Sequence, residues 1–159
     1  MTHYEFGRAK GGMVHLTWYD GGLMPPTPEG FPADLRMTPG GGALFVGQRG
    51  MLMHETYGAK PVLIGRGLDD RAKRVSQSLP RIQGGTNAHE NNWIRAIRGE
   101  EPLSCGLDYA VPLNETMNLG IVAMRAGRPI EYDGAAGRIT NVADANRFLS
   151  RTYRKGWEL

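Results

Sequence analysis

An α+β fold, an open and mostly antiparallel β-sheet with helices packed on one face, is what the order of elements predicts. Strand-like and hairpin-like segments fill the chain up to residue 64, and helical periodicity begins only near residue 88. Strand and helix never alternate, which argues against a doubly wound parallel sheet. Glycine supplies 23 of the 159 residues, about twice the usual share of roughly 7%. It follows no Gly-X-Y period, so the excess belongs to turns and loops. A chain of this length with 40% apolar and 22% charged residues is expected to form a single domain over 1–159 with one core.

The clearest strand is Met13–Tyr19. Val14, Leu16 and Trp18 line one face and are expected to look into the core; His15, Thr17 and Tyr19 line the other. Tyr4-Glu5-Phe6 precedes it across a turn at 8–12. From 20 to 42 the chain changes character. Asp20-Gly21-Gly22 ends the strand, and Pro25, Pro26, Pro28, Pro32 and Pro39 deny it a regular ladder. A loop this long exceeds the usual connection of about 4–6 residues and reads as a lid, a partner-binding arm or decoration. The segments 43–46 and 51–54 flank Gly47-Gln48-Arg49-Gly50 as a hairpin, and Val62-Leu63-Ile64 reads as a short strand. The basic stretch 65–85 is mostly loop, with a helical turn within 69–78.

Two helices follow. The first runs from 88 to 98, with Asn87 as N-cap, Glu90 completing a capping box, and Trp93, Ile94 and Ile97 as its apolar stripe. The second occupies 111–126, with Pro112 in its first turn and Gly127 as its stop. Its stripe of Leu113, Met117, Gly120, Ile121 and Met124, broadened by Leu119, Val122 and Ala123, makes it the expected most-buried helix, laid across a sheet. Residues 129–133 read as a strand entering a turn. A short helix near Val142, capped by Asn141, buries Ala145, Phe148 and Leu149. The basic, aromatic tail ending at Trp157 is expected to dock on the body or on another subunit, because an exposed Trp is costly.

Charge and cysteine content exclude several classes. Cys105 stands alone, so no internal disulfide and no thiolate cluster can form within one chain; lacking a neighbouring base, it reads as structural. No apolar stretch reaches membrane-spanning length and no signal-peptide pattern opens the chain, so the expected location is cytoplasmic, with no membrane partner. The net charge of +3 concentrates in residues 57–86, with six basic and two acidic side chains, and in 147–159, with four and one. Such patches suit phosphate, a carboxylate or an acidic surface, but not a nucleic-acid footprint.

No glycine-rich phosphate loop lies between a strand and a helix, and no HExxH pair or nucleophile elbow is present. No catalytic, metal-binding or cofactor-binding residue is therefore assigned. The candidates for substrate contact are Tyr19 on the polar strand face, Asp20 at the strand end, Asn87 at the helix entry and His89 in the first helical turn. There the helix field disfavours imidazolium and leaves a neutral ring for a polar ligand. Asp20 also suits a turn, and Asn87 a cap. Asn92 reads as solvent-facing.

Several segments together resemble the C-terminal domain of bacterial Gfo/Idh/MocA-family oxidoreductases. They are Val14-His15-Leu16-Thr17-Trp18-Tyr19-Asp20-Gly21-Gly22, Gly42-Ala43-Leu44-Phe45-Val46-Gly47 and His89-Glu90-Asn91-Asn92-Trp93-Ile94-Arg95-Ala96-Ile97. The later ones are Asp108-Tyr109-Ala110-Val111-Pro112, Leu119-Gly120-Ile121-Val122-Ala123 and the tail 151–157. The resemblance implies the later part of a domain that covers a sugar or polyol substrate and builds the oligomer, in enzymes whose separate Rossmann domain binds NAD(P). The family's cofactor loop, its Glu-Lys-Pro segment and its catalytic histidine helix have no counterpart here, so no catalytic role carries over. Two expectations follow. One is a stand-alone or truncated substrate-cover and oligomerisation domain, inactive without a Rossmann partner, forming homo-oligomers through the open sheet face and contacting a sugar-like ligand. The other is a small carbohydrate-binding or protein-interaction module derived from that domain.

Overall fold

The computed structural model describes residues 1–158 and has the α+β composition expected. The strands pair antiparallel throughout, in three small sheets rather than one. Contacts divide the chain into two units, 1–80 and 81–159.

The first unit holds two of the sheets. Strands β1 (Thr2–Gly7) and β2 (Met13–Trp18) form a hairpin in which Tyr4 lies opposite Leu16 and Phe6 opposite Val14. The turn closes through Arg8 and Gly11–Gly12, whose positive φ angles of 82° and 86° only glycine adopts freely. Partners across a ladder share a face, so Tyr4, Phe6, Val14, Leu16 and Trp18 form one apolar surface. His3, Glu5, His15 and Thr17 form the other. On that polar face His3 Nδ1 and Thr17 Oγ1 share a 2.9 Å hydrogen bond, and His15 Nδ1 lies 3.4 Å from Glu5 Oε1. The apolar surface is not a core: Val14, Leu16 and Trp18 are 49%, 40% and 53% exposed. The expected burial of these three residues in the core is corrected: among the described residues they stay about half exposed, on a ribbon of only two strands.

Strands β3 (Gly42–Gly47), β4 (Gly50–Glu55) and β5 (Val62–Ile64) make the second sheet, joined by the hairpin at 47–50. Gly50 sits at φ 146°, where an added Cβ would run into the Ile64 carbonyl oxygen and lie 2.6 Å from Leu68 Cδ1. Glycine is required there by both backbone and space. Leu68 opens helix α1 (Leu68–Ala72), the turn expected in this basic stretch. The Pro-rich segment 20–42 folds onto its own unit. Phe31, Pro32, Leu35 and Met37 are half-buried, a Cβ on Gly30 would touch Met51 Cε at 3.9 Å, and the Arg36 guanidinium donates to the carbonyls of Ala33 and Leu35.

The second unit holds α2 (Ala88–Ile97), α3 (Leu107–Ala126) and the hairpin β6 (Tyr132–Asp133) and β7 (Arg138–Ile139), followed by a 3-10 segment, Ala143–Phe148. Its core is Val122, Ile139 and Ala145, ringed by Ala126, Ile130, Tyr132, Val142, Phe148 and Leu149. The Asp133 carboxylate accepts the Ala135 and Ala136 N–H groups, each at 3.0 Å, and shapes the β6–β7 turn. Asn146 then ties β7 to the 3-10 segment: it accepts from Ile139 N–H at 2.9 Å and donates to the Ile139 and Ala143 carbonyls.

Several sequence expectations change here. Helix α3 begins at Leu107 rather than 111, so Pro112 lies beyond the first turn and deprives the Asp108 carbonyl of its helical donor. Gly127 ends α3 as expected, at φ 67° with its N–H on the Ala123 carbonyl at 3.0 Å. The stripe assigned to burial is covered only in part: Gly120, and Val122 from its broadened edge, are buried, whereas Leu113, Met117, Ile121 and Met124 are all close to half exposed or more. The apolar surface of α3 is wider than its cover, and the nearby 129–149 segment takes the edge through Val122 and Ala126. On α2 likewise, Trp93, Ile94 and Ile97 are exposed, and Asn92 is buried at 4%. Asn87 makes no capping bond, because a 3-10 turn at Gly85–Asn87 leads into the helix and leaves it at φ −104°, ψ 30°, away from cap geometry. Asn141 is not a cap either: it accepts the Glu131 N–H at 2.8 Å and donates to the Pro129 carbonyl. Trp157 is 66% exposed with Arg154 stacked 5.0 Å from its ring centre, so the tail does not dock on the body.

Candidate functional site

The four residues proposed from sequence do not form one cluster within either unit. Tyr19, half-buried, and Asp20, exposed, follow β2 in the first unit. The Asp20 carbonyl accepts the Leu23 N–H at 3.2 Å across Gly21 and Gly22, both at positive φ, so Asp20 occupies the turn that its neighbours suggest. Asn87 and His89 are exposed at the entry of α2 in the second unit. No side-chain hydrogen bond to any of the four is found among the described residues. Each is open to solvent chemistry, and none is held by a neighbour as a general acid or base would be.

What sequence reasoning missed is a polar clasp centred on Asn92. Its Nδ2 donates to Glu101 Oε1 at 2.5 Å and to the Pro102 carbonyl at 3.0 Å, while its Oδ1 accepts the Ser104 N–H at 2.9 Å. Arg95, one turn along the same face, pairs with Glu101 Oε1 at 2.9 Å. The hydrogen bonds from Arg95 and then Asn92 hold the Glu101 carboxyl below its ordinary pKa, and Glu101 in turn raises that of Arg95. All the contacts of Asn92 in the clasp are internal to the protein. Its work is to pin the 99–104 loop to α2 and so fix where α3 begins. An Asn inside a helix facing a Glu-Glu-Pro loop was the signal, and it is a weak one.

A second polar contact joins β6 to α3. Tyr132 donates its hydroxyl to Glu115 Oε1 at 2.5 Å, and this bond, with some desolvation, raises the Tyr132 pKa. Tyr132→Phe is expected to lower stability by about 1 kcal/mol, the usual worth of one such bond, seen as a shifted urea midpoint with unchanged slope. Among the described residues no group of three or more potential ligands is placed to hold a metal ion, and no helix is long and apolar enough to cross a membrane.

The candidate feature of the first unit is an apolar surface. Phe6, Val14, Leu16 and Trp18 present a continuous apolar face, with Tyr4 stacked on Phe6 at a ring separation of 6.3 Å. No family model, no curated protein and no solved structure matches this chain.

Proposed function

We propose that this chain is a cover and assembly domain of the sugar-oxidoreductase type, without a nucleotide-binding half, that pairs with a second copy of itself through the apolar face of β1–β2. The observation that carries the reading is the exposed line Phe6, Val14, Leu16 and Trp18. An isolated hairpin is marginal in water, and an apolar face of this extent marks an interaction surface. A face that is apolar along both of its strands suits two-fold self-pairing, in which one patch serves both partners.

The oxidoreductase part of the reading rests on the sequence resemblance. Hydride transfer needs a dinucleotide held against the reacting carbon, and this chain has no loop to grip one. Under the proposal NAD(P) and the acid–base chemistry belong to a separate Rossmann-domain partner, and this domain contributes substrate cover for a sugar-like ligand and the oligomer contact. Two measurements on the purified chain test it. Light scattering is expected to give a dimer or larger, and calorimetric titration with NADH and NADPH is expected to show no saturable binding below millimolar concentration. A clean monomer at high protein concentration removes the assembly role. Tight dinucleotide binding overturns the missing-half reading, and binding of free sugar without either outcome assigns a carbohydrate-binding module instead.

A further inference from the structure

Arg125, Arg128 and Arg147 line one cleft of about 460 Å³ beside the last turn of α3, within the roughly 300–1,000 Å³ typical of small-molecule sites. Two of the three stack on one aromatic ring. The guanidinium carbons of Arg125 and Arg147 lie 4.4 and 4.8 Å from the centre of the Phe148 ring, which together allow at most 9.2 Å between them. Phe148 itself packs on the Val122–Ile139–Ala145 core, so the platform under both arginines is anchored. Among the described residues none of the three arginines is paired with a carboxylate. Asp144 is the one acid lining the cleft, and it too is unpaired, which leaves a net charge of two positive units. The end of α3 favours a cation in its last turn, which accounts for Arg125, but not for Arg147, which comes from the 3-10 segment.

We propose that this cleft binds a phosphoryl group, either free phosphate or the phosphate ester of a small metabolite. A guanidinium presents a planar fork that matches phosphate oxygens two at a time. Arginines immobilised on an aromatic ring have already lost much of the side-chain freedom that binding would otherwise cost. The dianion supplies the counter-charge that the protein does not. This site is independent of the oxidoreductase reading, because it lies wholly in the second unit and uses none of the apolar hairpin.

The test is calorimetric titration with inorganic phosphate at low ionic strength, repeated with glucose 6-phosphate. Saturable binding is expected, displaced by sulfate. Equal affinities assign free phosphate, and tighter binding of the sugar phosphate assigns the ester. Arg147→Lys keeps the charge and loses the fork, and is expected to weaken binding by about tenfold. Arg128→Ala is expected to do the same and touches no aromatic ring, so it decides the matter should the Arg147 variant disturb the fold. Asp144→Asn removes the only repulsive charge and is expected to tighten binding several-fold. A non-saturating response overturns the site, as does an affinity unchanged across Arg128→Ala and Asp144→Asn.

Discussion

Under the proposed self-pairing, replacing Leu16 and Trp18 together by lysine is expected to leave the protein monomeric with the β1–β2 ladder in place. Both side chains sit on the apolar face, opposite Tyr4 and Thr2, at 40% and 53% exposed. Lysine is tolerated on an open strand because its stem lies along the surface and its ammonium stays wet, and exposed strands carrying lysine resist pairing with another chain. Fully burying one Leu-sized side chain is worth about 1.5–3 kcal/mol. About half of each side chain is left to bury, and a two-fold interface loses each contact twice, so the pair of substitutions removes about 3–6 kcal/mol from association. Each 1.4 kcal/mol is a factor of ten, which puts the dissociation constant up by about two to four orders of magnitude. Light scattering of wild type and variant at one concentration reads the outcome, with circular dichroism to confirm the strands. His15→Gln, on the polar face of the same strand, is the control and is expected to leave the mass unchanged. If both variants keep the wild-type mass, the hairpin face is not the contact.

Local signals in the sequence carried a good part of this fold. The turn at 8–12, the 47–50 hairpin, the short strand at 62–64 and the Gly127 stop were all legible, because glycine position and period-two patterning are properties of a few adjacent residues. The direction in which amphipathic elements face was not. Helical periodicity on α3 names a broad apolar surface, and it cannot say that Val122 and Ala126 meet the 129–149 segment while Leu113, Met117 and Ile121 stay open. The same blindness covers Val14, Leu16 and Trp18, whose alternation establishes a face without establishing what covers it. Strand β7 has two residues, too few for any pattern, and exists because Asp133 and Asn146 organise its ends. The candidate residues pose a different chemical question. Tyr19, Asp20, Asn87 and His89 are residue types able to hold a polar ligand, and residue type alone does not say which neighbours position a side chain, as the Asp20 turn and the uncapped Asn87 show.

Asn92→Ala is the substitution expected to cost the second unit most. At 4% exposed, Asn92 serves two acceptors and one donor of the 99–104 loop. Alanine removes all three bonds, each worth about 0.5–1.5 kcal/mol net, while water can reach the Pro102 carbonyl and the Ser104 N–H because both residues are exposed. The expected loss of stability is therefore about 2 kcal/mol, measured by urea unfolding followed through Trp93, which neighbours Asn92 on α2. Acid should act on the same clasp. Because Glu101 titrates lower in the folded state than in the unfolded chain, its contribution is complete above the ordinary glutamate range and is lost as pH falls through the lowered folded value. Wild-type melting temperature should then drop on acidification more steeply than that of Asn92→Ala, in which one of the two bonds holding the carboxylate down is already gone. Asn92→Asp separates charge from shape. It keeps an acceptor for Ser104 but sets a second carboxylate against Glu101, so it should be the least stable of the three at neutral pH and recover part of the difference in acid, where protonation relieves the repulsion. Parallel acid profiles for all three proteins would show that Asn92 and Glu101 are not coupled, and that the loop is held by packing alone.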